Sequence, residues 1–163
     1  MVLSIRPLAA HHRREAFDCG VASLNDWLRN TAAQHRRKNI SVTHVLTDDA
    51  APNDVIAYYA LTSCVVQSPN LPAPLRKKLP LGVPGIKLGR LAVNLHCAGP
   101  GHGETMLLDA VERSRQVSAQ IGVYALFVDA LDNGAARFYQ RYGFAAFPDL
   151  PLTLFLQLSP AQI

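Results

Sequence analysis

Cysteine is scarce in this chain: Cys19, Cys64 and Cys97 are the only three in 163 residues. Their number and uneven spacing exclude a disulfide framework and the paired spacing of a zinc site. They are expected to be small core or flank residues in a reducing compartment. The six histidines are scattered, and the adjacent His11 and His12 have no ligand spacing, so no metal site is expected. Charged residues make up only 17% against 49% hydrophobic, which excludes a disordered chain. No apolar run reaches the roughly 20 residues of a membrane span, and residues 1–14 lack the apolar core of a signal peptide. A soluble cytoplasmic protein is therefore expected. There is no repeat and no low-complexity tract, and the Gly-Lys-Ser/Thr of a Walker loop is absent.

What is present fits one domain over residues 1–163. A net charge of +4 and a pI near 9.2 favour a polyanionic partner without naming it. Residues 2–7 alternate as a short strand. Ser23 is the expected N-cap of a helix carrying Leu24, Trp27, Leu28 and Thr31, which ends in His35, Arg36, Arg37 and Lys38. Those cations suit the negative end of the helix dipole, and equally suit an anion. Residues 42–47 and 55–66 read as an antiparallel strand pair. Residues 69–84, with five prolines around Arg76, Lys77 and Lys78, read as a long loop with room for one helical turn. A buried strand follows over 85–94, with a bulge expected at Gly89 and Arg90. Met106, Leu107, Ala110, Val111, Ser114, Val117 and Ile121 form one helical stripe. Strand 124–130, a helix capped by Asp132 or Asn133 and closed by Gly143, and strand 152–158 complete an α/β order with a mixed sheet.

Two segments carry chemistry. The first is the glycine loop 99–103 between a strand and a helix. Backbone N–H groups at a helix start point at an anion, and glycines let the chain curl close to it. A Rossmann loop has a different spacing and comes early in a βαβ unit, whereas this loop comes late, after an antiparallel section. The second is the helix 132–144, with Phe138 and Tyr142 four apart and expected to face the core, and Tyr139 turned toward the flank. A tyrosine hydroxyl at a cleft can protonate a leaving group.

Together these segments resemble the GNAT N-acetyltransferases along nearly the whole chain. Gly101 and Gly103 match the small positions of the family's loop, and Ala135, Tyr139, Gly143 and Phe144 match its late helix. The resemblance implies a mostly antiparallel sheet with a V-shaped splay, helices on both faces, and acetyl-CoA as cofactor. Tyr139 would be the general acid for the CoA thiolate. Leu91, Ala92 and Val93 would pair with pantetheine. The cofactor set would further include Ala98, Gly99, Gly101, His102, Gly103, Glu104, Asp132 and Ala135. More narrowly, Phe17-Asp18-Cys19-Gly20, Leu24-Asn25-Asp26-Trp27-Leu28 and Leu88-Gly89-Arg90-Leu91-Ala92-Val93 resemble the TacT-type toxins. That likeness implies acetylation of the α-amine of aminoacyl-tRNA, restraint by a ribbon–helix–helix antitoxin, and a homodimer as one assembly. Arg36, Arg37, Lys38, Arg76, Lys77, Lys78, Arg90, Arg137 and Arg141 would then meet tRNA, since each neutralised phosphate releases counterions.

The loop departs from the family pattern. Ala98 stands where the family has Arg or Gln, Pro100 lacks an N–H, and Glu104 brings a negative charge to the helix start. These changes imply weaker cofactor binding. They leave two alternatives open: a GNAT enzyme for a small amine or protein N-terminus, and a module that binds CoA or an antitoxin without turnover.

Overall fold

The structure, a computed structural model, describes residues 1–97 and 99–158. Along the chain run β1 (Leu3–Pro7), α1 (Ala22–Asn30), α2 (Ala32–Arg37), β2 (Val42–Asp48), β3 (Ala57–Gln67), a 3₁₀ turn (Ser68–Asn70), α3 (Ala73–Arg76), β4 (Gly82–Val93), α4 (His102–Ser118), β5 (Ala125–Asp129), α5 (Asn133–Arg141), β6 (Ala145–Phe147) and β7 (Leu150–Gln157). The seven strands form one sheet in the order β1-β2-β3-β4-β5-β7-β6. Strands β4 and β5 are parallel, a pairing that needs a crossover, and α4 lies between them in sequence. The pairs β1–β2, β2–β3, β5–β7 and β6–β7 are antiparallel. This is the mixed, mostly antiparallel sheet that the sequence predicts. No helix among the described residues is long and apolar enough to cross a membrane.

The backbone packs into two compact units, Met1–Thr62 with Gly89–Ala110, and Ser63–Leu88 with Val111–Ile163. In the first, Leu24 and Leu28 of α1 and Ala32 of α2 sit four residues apart on one face and close on Phe17, Val45, Val55, Tyr58 and Ala92. The predicted N-cap at Ser23 is corrected. Val21, in extended conformation, caps the helix, and its carbonyl accepts from Leu24 N and Asn25 N at 3.1 Å. The predicted single helix is also two. Thr31 ends α1 by donating to the Trp27 carbonyl at 2.9 Å and opens α2 by accepting from His35 N at 3.0 Å. Asn30 and β-branched Thr31 are weak helix formers, which lets the chain turn there.

In the second unit Leu71, Ala125, Phe127, Phe147 and Phe155 form the core. The segment predicted as a loop over 69–84 holds the 3₁₀ turn and α3, and β4 begins at Gly82, three residues early. The parallel register runs without a shift from Gly85↔Ala125 to Leu88↔Val128, and β4 continues beyond it to Val93. Strand β6 was not foreseen: its three residues are too few to show alternation, and they join β7 as a hairpin. Along α4 the predicted stripe is buried at Met106, Leu107, Ala110, Val111 and Ser114, whereas Val117 in the last turn and Ile121 beyond the helix end at Ser118 are exposed.

His12 of the first unit is 3% exposed, with Nδ1 accepting from Ala9 N at 2.9 Å and Nε2 lacking a hydrogen-bond partner among the described residues. Burial first, and the neighbouring His11 second, hold its pKa below the ordinary 6.5. The fold therefore favours the neutral ring, and its contribution to stability is present above about pH 6.5 and lost as the pH falls below it. Thermal unfolding followed from about pH 7.5 to pH 5.5 should show a larger loss in wild type than in His12→Gln, and equal losses would refute this.

Candidate functional site

The first unit builds a loop after β4. Asn94 fixes its start: its backbone N donates to the Ile56 carbonyl at 2.8 Å, its amide Nδ2 to the Val55 carbonyl at 3.3 Å, and its Oδ1 accepts from His96 N at 3.0 Å. The last bond is an Asx turn, which asparagine favours by residue type, although the strand predicted over 85–94 runs through it and the structure ends β4 at Val93. The N-terminal signature holds the same loop. The Asp18 carbonyl accepts from Leu95 N at 2.8 Å, and the Asp18 carboxylate lies 3.7 Å from His96 Nε2. Asp18 Oδ1 also accepts from Gly20 N at 2.9 Å and Asn25 Nδ2 at 3.1 Å, while Asn25 Oδ1 accepts from Cys19 N at 2.9 Å. The bond from the Gly20 N–H, then that from Asn25, holds the Asp18 carboxyl below its usual range. Asp18 and Asn25 thus work as a clamp on the loop entry, a role that their sequence pattern alone does not give.

Beyond that clamp the chain enters the glycine segment. Ala98 lies outside the described residues. Gly99 and Gly101 have φ of +107° and +87°, a region that side chains disfavour. A Cβ on Gly101 would meet nothing within 4 Å, so there is room beside the loop. The Gly101 carbonyl accepts from Thr105 N at 2.9 Å, which makes Gly101 the cap of α4. The first backbone N–H groups of the helix therefore belong to His102, Gly103 and Glu104, and Pro100 precedes them. The His102 ring is buried, and its Nε2 lies 3.4 Å from where a Cβ on Gly99 would be. An arched glycine segment with helix-start donors and free space fits a pyrophosphate. Leu91 and Val93 are half-buried on β4, and Ala92 is part of the core.

Glu104 is exposed in the first turn of α4, where a carboxylate suits the helix dipole but opposes a phosphate. Glu104→Gln should tighten acetyl-CoA roughly two- to five-fold by calorimetry, the reach of a charge of 0.3–1 kcal/mol at a helix end. Weaker or unchanged binding would show that the carboxylate does not face the phosphates.

The second unit carries α5. Asp132 Oδ1 caps it by accepting from Ala135 N at 2.8 Å, and Gly143, with φ +94°, closes it, both as predicted. Ala135 is half-buried. The faces of α5 are corrected: Tyr139 and Ala136 are buried, and Phe138 and Tyr142 are only partly so. Residues 136 and 139 share one face of the helix. The Tyr139 ring is held edge-on by Phe138 at 5.3 Å and at a tilt by Phe144 at 5.5 Å. Burial pushes the Tyr139 phenol well above its usual pKa of 10.0, so it stays protonated and able to donate.

All nine predicted cationic residues are exposed. In the first unit, Arg36, Arg37 and Lys38 end α2, with Arg36 Nη1 donating to Asn39 Oδ1 at 3.4 Å. Arg90 lies over the ring of Trp27, 5.4 Å from its centroid. In the second unit, Arg76 donates to the Pro69 carbonyl at 3.2 Å, with Lys77 and Lys78 beside it. Arg137 and Arg141 line an open groove of about 520 Å³ with Gly134, Phe138 and Gln140, and Arg141 lies over the Phe138 ring at 5.7 Å.

No protein-family profile matches the chain. It is 35% identical over 147 residues to a tRNA-acetylating toxin of Mycobacterium tuberculosis, which covers 90% of this chain and 87% of that protein. A solved structure of AtaT complexed with acetyl-methionyl-tRNAfMet matches at a TM-score of 0.88 and 29% identity, over 96% of this chain and 95% of that one. A tyrosine-to-phenylalanine mutant of AtaT, bound to the C-terminus of the antitoxin AtaR and acetyl-CoA, matches at a TM-score of 0.81 and 26% identity, over 96% and 93%.

Proposed function

The chain belongs to the family of tRNA-acetylating toxins, and from that premise we propose that it transfers an acetyl group from acetyl-CoA to the α-amine of aminoacyl-tRNA and so blocks translation. The observation that carries this reading is 35% identity over 90% of the chain to a tRNA-acetylating toxin. It is an N-acetyltransferase, its cofactor is acetyl-CoA, and its partners are charged tRNA and an antitoxin. A ribbon–helix–helix antitoxin, a homodimer, a cytoplasmic setting and one domain over 1–163 complete the proposal. The single domain is supported by relatives that match along nearly the whole chain.

Bound acetyl-CoA supplies an activated acetyl thioester. In this chain the N–H groups of His102, Gly103 and Glu104, with Gly99 and Gly101 arched before them, receive the pyrophosphate. Ala98, Asp132 and Ala135 complete the proposed cofactor set, with Asp132 acting through the cap of α5. Backbone groups of Leu91, Ala92 and Val93 orient the pantetheine arm, which brings the reactants together. Tyr139 Oη holds a proton for the departing sulfur, as its buried setting favours the neutral phenol. Arg36, Arg37, Lys38, Arg76, Lys77, Lys78, Arg90, Arg137 and Arg141 attract the tRNA backbone.

Mass analysis of charged tRNA after incubation with the protein and acetyl-CoA is the test. An acetyl group on the aminoacyl moiety supports the reading. Acetylation of a competing polyamine or peptide amine, with charged tRNA untouched, refutes it.

A further inference from the structure

Arg90 differs from the ion-paired cations of its unit. Arg13 lies 3.5 Å from Asp54 and Arg29 3.5 Å from Asp26. Arg90 has no carboxylate within ion-pair distance among the described residues, and its one side-chain hydrogen bond there runs from Nη1 to the adjacent Gly89 carbonyl at 3.2 Å. Its guanidinium is nevertheless docked over the indole of Trp27. That indole is fixed in turn: it stacks on Tyr58 at 6.0 Å and 9°, and receives the edge of His35 at 5.7 Å and 88°. Tyr58 is fully buried and donates its hydroxyl to the Leu24 carbonyl at 2.6 Å. His35 Nδ1 lies 3.2 Å from Ser41 Oγ. A planar cation is thus held on a rigid aromatic shelf with most of its donors unused. Such a fork matches a phosphate, and its place over an aromatic ring positions the cation in advance.

We propose that Arg90, held in place by Trp27, receives a backbone phosphate at the acceptor end of the tRNA. This rests on the aminoacyl-tRNA reading above, and it assigns Arg90 to the acceptor rather than the cofactor. Position along β4 supports that choice. The stretch proposed for pantetheine, Leu91 to Val93, begins directly after Arg90 and extends roughly 10 Å at the rise of a strand. The loop proposed for the pyrophosphate follows the end of β4. Arg90 therefore precedes the thioester stretch, and the cofactor's phosphates follow it. The anion left for Arg90 is a phosphodiester beside the esterified ribose.

The test uses the full chain with Arg90→Ala and Arg90→Lys, checked for unchanged thermal unfolding. Binding of an uncharged acceptor-stem RNA hairpin is read by fluorescence anisotropy, beside KM values for charged tRNA and acetyl-CoA. Arg90→Ala should weaken hairpin binding and raise KM for charged tRNA roughly ten-fold or more, with KM for acetyl-CoA unchanged. The lysine variant, with charge but no planar fork, should recover only part of this. The salt slope of hairpin binding should fall by about 0.7–0.9 in Arg90→Ala, the loss of one phosphate contact. Unchanged hairpin binding, an unchanged salt slope, an equal rise in KM for acetyl-CoA, or loss of binding to an acidic peptide in place of RNA would each overturn the assignment. If wild type binds the hairpin through Arg90 and yet acetylates no charged tRNA, the proposed function fails while the phosphate site stands.

Discussion

Tyr139→Phe should lower the turnover of charged tRNA by about 10²–10⁴-fold, the usual span of general acid catalysis. That corresponds to about 2.7–5.4 kcal/mol of barrier at 1.36 kcal/mol per decade. The substitution removes one oxygen and keeps the ring that packs against Phe138 and Phe144, so the helix and its core should survive. KM for acetyl-CoA should change little, because the hydroxyl acts on the departing sulfur. Because burial raises the phenol above its usual 10.0, wild type should lose no activity to Tyr139 ionisation as the pH rises toward that value. Turnover within three-fold of wild type would remove Tyr139 from the mechanism and leave positioning as the main source of rate.

The second large effect concerns stability of the second unit. A Cβ on Gly85 would collide with Phe127 Cε2 and lie 2.6 Å from its Cδ2 and 3.1 Å from Cys64 Sγ. Phe127 cannot swing aside, since it is 3% exposed and enclosed by Phe147 at 6.1 Å and Phe155 at 6.4 Å. Gly85→Ala should therefore cost about 1–3 kcal/mol through overpacking. Phe127→Ala should cost about 3–5 kcal/mol through lost burial and a cavity. The double variant should be less destabilised than the two singles added together, because the new methyl group occupies part of the space the ring leaves. Denaturant unfolding of all four proteins measures this. Strict additivity would mean that Gly85 and Phe127 are not in contact.

Much of the candidate site can be proposed from sequence because the chemistry assigned to it depends on local spacing. Gly101 and Gly103 between a strand and a helix, and Tyr139 four residues before Gly143, are patterns that a single segment carries. The cap at Asp132 and the closure at Gly143 follow from residue type, and the structure bears both out. The orientation of α5 was not legible. Phe138 and Tyr142 are as apolar by pattern as Ala136 and Tyr139, and only the packing of Tyr139 against Phe144 decides which face turns inward. The start of α1 was misjudged for a similar reason. Ser23 has the right side chain for a cap, yet the carbonyl of Val21 already accepts the first bonds.

The sequence by itself determined the fold class, the glycine loop and the tyrosine helix, since each rests on periodicity or residue type within a few turns of chain. Only the tertiary structure decided what the N-terminal signature does. Asp18, braced by Asn25, accepts a hydrogen bond from Leu95 N and faces His96 at 3.7 Å, more than seventy positions away, and no local pattern encodes such partners. The same holds for Arg90. In the sequence it is one of nine candidate tRNA contacts, and its place over Trp27 from a different element distinguishes it from the rest.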